Sequence, residues 1–178
     1  MNLFPHLELR RDQRNKSHWA NNYNGSRRAV GTGGSVVGKH AHLIVIDDPL
    51  DPEGSYSEAE IKEANRWCKE TISQRKVDKK VSLTILVMQR LGQADPTANK
   101  LEYDSKVRHI CLPAEITDGL KPKRLKKFYK NGLLDQRRLS QDVLDEAMAL
   151  GNYLYASQYL QDPVPLGGGM FKTERIII

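Results

Sequence analysis

The sequence predicts an α/β fold, a parallel sheet with flanking helices, on three observations. Two apolar runs rich in β-branched residues, "LIVI" from Leu43 and "VSLTILVM" from Val81, read as strands buried on both faces. A helical pattern lies between them, and strand–helix–strand at these lengths makes a βαβ unit whose strands run parallel. Aromatic content is low, 7%, which suits such a fold better than a β-sandwich.

The elements follow in order. The first forty residues are polar and rich in Asn, Arg and Gly, with "RRAVGT" as a short strand before a glycine loop. The first apolar run closes on Asp47, Asp48 and Pro49, which places two acids at a strand's C-terminal edge. In open α/β sheets ligands bind at that edge. Ser57 and Glu60 form a capping box, and Ile61, Ala64, Cys68, Ile72 and Arg75 continue at helical spacing beside Trp67. After the second apolar run, "VRHICLP" reads as a third short strand ended by Pro113. Residues 114–139 carry a Lys-rich run without a clear period and read mostly as loop. Ser140 caps a helix to about Leu150, Gly151-Asn152 interrupts it, and a second helix runs from Tyr153 to Gln161. "PVPLGGG" reads as a linker. The tail "ERIII" is strand-like and has no partner after it, so the chain is expected to be part of a longer protein.

Charge is segregated along a chain of net +6 and pI about 9.3. Bases dominate up to Lys39, and acids dominate from Ala41 to Glu70. Lys121, Lys123, Arg124, Lys126, Lys127 and Lys130 then form a run without an acid. With Phe128 and Tyr129 inside it, the run has two readings, a DNA contact surface or a flexible solvated loop. The apolar runs are too short to span a bilayer, and no secretory leader is recognisable. Cys68 and Cys111 match no metal or redox spacing and read as reduced structural thiols of a cytoplasmic protein.

Two stretches bear on nucleotide chemistry. "GGSVVGKH" places Gly33, Gly38 and Lys39 as a phosphate-binding loop would, but His40 stands where a hydroxyl should. A strand follows where such a loop needs a helix, so the stretch reads as a turn with glycines at positive φ. "LIVIDDP" carries more chemistry. An acid closing an apolar strand can hold Mg²⁺, and a second can orient a hydrolytic water. The competing reading is a pair of turn acids before a proline. His40 and His42 supply half a metal site at most and read as edge histidines. No G-x-S-x-G or Ser/His/Asp order points to a serine hydrolase.

Together these stretches resemble the large subunit of bacteriophage terminases, DNA-packaging motors. "VGTGGSVVGKHAHLIVIDDP", "VSLTILVMQRLGQAD", "HICLPAE" and "LGNYLYASQYLQDPVPLGGGMF" come in family order, over about Asn24 to Phe171. The resemblance implies part of a P-loop NTPase sheet of the ASCE type, truncated at both ends. Residues 1–162 would be the later half of the ATPase domain, and 163–178 a linker into a missing nuclease domain. Asp47 corresponds to the Mg²⁺-binding Walker B acid and Asp48 to the catalytic carboxylate. Gln89 and Arg90 fall on the coupling motif. Beyond them the branch usually has a His and an acidic pair, where this chain keeps only Asp95.

The implied cofactors are ATP and Mg²⁺. The implied partners are double-stranded DNA, the terminase small subunit and the portal protein, in the host bacterial cytoplasm. The phosphate loop would lie upstream, so the isolated chain is expected to lack ATPase and nuclease activity. The alternatives are a non-catalytic remnant or DNA- or partner-binding module, and another ATPase of the superfamily, such as a helicase.

Overall fold

Asparagine builds the turns of the first part of the chain. The computed structural model describes residues 5–165, which form a mixed α/β structure, and the chain divides into two compact units, residues 1–39 and 40–178. That boundary was not drawn from the sequence. In the first unit, β1 (Leu9–Arg14), β2 (His18–Asn21) and β3 (Ser26–Arg28) form a three-stranded antiparallel sheet. Asn15 Oδ1 accepts from the backbone N–H of Ser17 at 3.1 Å and of His18 at 2.6 Å, closing the first turn. Asn21 Oδ1 accepts from Tyr23 and Gly25, and Asn24 takes φ 62°, closing the second. These are side-chain turns of the kind Asn favours. The strand expected in "RRAVGT" is therefore only the end of β3. The glycine stretch is a turn, with Gly33 at φ 77° and Gly38 at φ 69°.

In the second unit, β4 (Leu43–Asp47) and β5 (Leu83–Val87) pair in parallel, Leu43 beside Leu83, Val45 beside Ile85 and Asp47 beside Val87. The connection between them is helical, as the pattern predicted. Ser57 Oγ accepts from Glu60 N at 3.3 Å and starts α1 (Glu58–Arg66). The helix continues through a π turn, Trp67–Thr71, and a 3₁₀ turn, Ile72–Arg75. Ala64, Trp67 and Ile72 supply its buried stripe. Leu50, Ala64 and Leu91 form one small core, with Ile61 and Met88 against it.

Both strands depart from the expectation of burial on two faces. Ile46 is buried, but Leu43, Val45, Leu83, Ile85 and Val87 are each 45–64% exposed. The register puts these five on one side of the pair. A continuous apolar run reports that both faces suit an apolar cover; it does not say that this stretch of chain supplies both.

One further expectation is corrected. "VRHICLP" forms no strand, because only Cys111 finds a partner, an isolated antiparallel bridge to Lys121. The segment after it is mostly loop, as expected, but an ordered one. Lys123–Phe128 forms a 3₁₀ helix, and Leu120, Tyr129 and Leu133 are buried. A helix absent from the expectations, α2 (Pro96–Tyr103), follows β5. Then come α3 (Gln141–Leu150) and, after Gly151 at φ 154°, α4 (Asn152–Leu154), which runs into a π turn, Tyr155–Tyr159. Ser140 holds the N-cap of α3 by its backbone alone.

The second core joins Ala114, Leu133, Leu144, Ala147 and Tyr155. The Tyr155 hydroxyl donates to Glu115, and burial, reinforced by that carboxylate, pushes the phenol well above its usual range. Among the described residues no helix is long and apolar enough to cross a membrane. The isoleucine tail lies outside the described residues.

Candidate functional site

The parallel pair ends at Asp47, and the chain then turns sharply. Asp48 N donates to Val87 O at 3.0 Å, which extends the ladder by one bond. Asp48 itself takes φ 42°, in the left-handed region uncommon for non-glycine residues and often found at functional positions. Pro49 and Leu50 behind it are buried and fix the turn. Asp47 and Asp48 are both exposed at the C-terminal edge of the pair, and Asp47 closes the bare apolar face.

The turn-acid reading makes a specific demand, that the carboxylate accept from a backbone N–H a few residues on. Other acids of the second unit meet it. Asp51 accepts from Gly54 N at 2.6 Å, Asp78 from Lys80 N at 2.7 Å, and Asp135 from Arg137 N at 3.0 Å. The carboxylates of Asp47 and Asp48 hold no backbone N–H among the described residues. Two exposed carboxylates fit Mg²⁺, which takes one or two acids and fills its other positions with water and phosphate oxygens. No group of three metal-ligating side chains occurs among the described residues, and His40 and His42 belong to none.

Gln89 and Arg90 follow β5 and go different ways. Gln89 lines a cleft of about 250 Å³ together with Leu112, Leu139, Gln158 and Tyr159. Arg90 turns to Asp95, its Nε donating to Asp95 Oδ2 at 2.8 Å. Asp95 is fully buried and accepts also from Leu91 N, Gly92 N and, as N-cap of α2, Ala98 N. Asp95 is thus the organiser of this loop. The Asp-Pro pair at 95–96 was its sequence signal, an N-cap followed by proline at the first helical position.

The loop is also tied to the end of the described chain. Arg90 N donates to Gln161 Oε1 at 3.1 Å, and the Tyr153 hydroxyl donates to Leu91 O at 3.0 Å. Neither partner stood out in the sequence. His109 sits below its ordinary value, through burial first and then Lys121 and Arg90. Burial pushes the Cys111 thiol up, and it pushes the Cys68 thiol up to about 11; both fit unreactive structural thiols.

The basic run lies apart from the acid pair in sequence. Lys121, Lys123, Arg124, Lys126, Lys127 and Lys130 are all exposed. Of its two aromatics only Phe128 is exposed; Tyr129 is buried and donates its hydroxyl to Pro113 O at 2.6 Å, so it is an anchor.

No protein-family profile matches the chain, and no curated protein sequence is significantly similar to it.

Proposed function

We propose that the chain is the later half of the ATPase domain of a phage terminase large subunit, the motor that drives viral DNA into procapsids. The observation that carries this reading is the acid pair. Asp47 and Asp48 stand exposed at the C-terminal edge of parallel strands, held by a left-handed turn and not spent on capping. In the intact protein Asp47 would hold Mg²⁺ of Mg-ATP, and Asp48 would orient the hydrolytic water. Mg²⁺ would supply neutralisation of phosphate charge.

The bare face of β4 and β5 supports the same reading. Parallel sheets are covered on both faces, and this one is covered on one. The proposed cover is the half of the domain that carries the phosphate loop. Because Asp47 ends that face, whatever covers it is brought beside the acids. Under this reading the loop after β5, braced by Asp95 and joined to Tyr153 of α4 and to Gln161 beyond it, would pass a change at the sheet edge to that segment.

Partners under this reading are double-stranded DNA, the small subunit and the portal, in the cytoplasm of the host bacterium. The test is Mg²⁺-dependent ATP hydrolysis by the purified chain. We expect none above background, because the phosphate cradle is not among its residues. Clear hydrolysis abolished by Asp48→Asn would overturn the half-site reading. A second reading, a DNA- or partner-binding module without catalysis, is favoured by the exposed basic run.

A further inference from the structure

The basic run is a built surface. At one end Leu120 is 1% exposed, and Lys121 exchanges backbone hydrogen bonds with Cys111 at 2.9 and 3.0 Å. At the other, Tyr129 is buried and Lys130 pairs with Leu133. Between these anchors the 3₁₀ helix fixes the order of the side chains. In that helix residues three apart eclipse, about 6 Å apart along the axis. Lys123 therefore stands over Lys126, Arg124 over Lys127, and Leu125 over Phe128.

Each row meets different surroundings. Lys123 and Lys126 line a hollow of about 330 Å³ with Ile116, Thr117, Asp118 and Leu120. Lys123 donates to Asp118 O at 2.7 Å, and the Asp118 carboxylate, fully out in solvent, is 3.7 Å away. Such an exposed pair is readily displaced by a better anion. Arg124 and Lys127 face outward. Phe128 is 60% exposed, with Lys127 Nζ 5.2 Å from its ring centre.

We propose that residues 121–130 form a binding surface for unpaired nucleic acid. Lys123 and Lys126 seat a phosphodiester in the hollow, Arg124 and Lys127 contact the neighbouring phosphates, and Phe128 stacks on a base. The pre-ordered backbone reduces the entropy lost on binding. The exposed ring selects unpaired over duplex nucleic acid, because a duplex hides the base faces on which it would stack. One exposed ring beside a half-buried Leu125 is too little apolar surface to insert into a membrane. The proposal goes beyond the motor reading, whose partner is double-stranded DNA, and does not rest on ATP hydrolysis.

The experiment is fluorescence anisotropy of the full chain with a labelled oligothymidylate and with a hairpin duplex, across a salt series. We expect tighter binding to the single strand, and Phe128→Ala to weaken it about tenfold while changing the duplex little. Lys123→Gln with Lys126→Gln should lower the salt slope by about 0.7, for the one phosphate left without its cations. Lys79→Gln with Lys80→Gln, two cations outside the run, should change nothing, and circular dichroism checks that each variant folds. The proposal is overturned by duplex preference with no effect of Phe128→Ala, by equal losses from the 79/80 pair, or by binding to anionic vesicles but to neither oligonucleotide. Oligonucleotide binding without hydrolysis by any reconstituted motor would sink the motor reading alone. Hydrolysis with no oligonucleotide binding would sink this surface alone.

Discussion

Arg90 donates its Nε to Asp95 Oδ2 at 2.8 Å, where the guanidinium is 17% exposed and the carboxylate 1%. The pair is asymmetric. Asp95 also holds three backbone N–H groups, whereas Arg90 has Gly92 O as its other partner. Asp95→Ala leaves a half-dry cation and orphans those donors, and should cost about 3–5 kcal/mol. Arg90→Met leaves the acid with its N–H partners and should cost about 1–3 kcal/mol. Urea denaturation of both gives the order; a larger loss for Arg90→Met would remove Asp95 as organiser of the loop.

Beside the Tyr153 bond to Leu91, the Gln161 side chain joins that loop to the segment just after the C-terminal helix, seventy-one residues on from Arg90. Gln161→Ala should cost about 0.5–1.5 kcal/mol. It should also speed hydrogen exchange at the Arg90 amide, the group it unpairs. Unchanged exchange at Arg90 would mean that the contact carries no constraint.

Asp48 sits at φ 42°, a conformation glycine adopts without cost. Asp48→Gly should be neutral or stabilising by up to about 1 kcal/mol. A functional acid kept in a strained turn behaves so, and a structural one does not. A loss above about 1 kcal/mol in thermal or chemical unfolding would assign Asp48 a structural task.

The bare sheet face predicts a contrast between neighbours in one strand. Ile46 is 7% exposed and Val45 56%. Ile46→Ala should cost about 2–5 kcal/mol, while Val45→Thr, with Ile85→Thr, should cost under about 1 kcal/mol in the isolated chain. The double threonine variant should also reduce self-association in light scattering, since exposed apolar patches promote it. A large stability loss from it would mean that the face is already covered.

Much of the second unit was legible. β4, α1 and β5 follow from two apolar runs and a capped helical stripe, signals that depend on neighbours close in sequence. What the runs could not convey was how many faces are covered, because cover is a property of distant chain. "VRHICLP" misled because strand-like composition needs a partner, and only Cys111 has one. The first unit was missed because its strands are polar and short, and its turns are made by Asn side chains. For the acid pair, the sequence supplied position and chemistry. The left-handed turn at Asp48, and the contrast with Asp51, needed coordinates. The roles of Gln161 and Tyr153 depend on contacts between segments far apart, which no local pattern encodes.

The central claim is that Asp47 and Asp48 are the acid half of a divided nucleotide site. Its most direct test is hydrolysis by this chain joined to the polypeptide encoded immediately upstream. The account predicts Mg²⁺-dependent ATP hydrolysis in the joined protein, absent from either part, and reduced at least about 100-fold by Asp48→Asn. Hydrolysis in the joined protein that survives both Asp47→Asn and Asp48→Asn would contradict it.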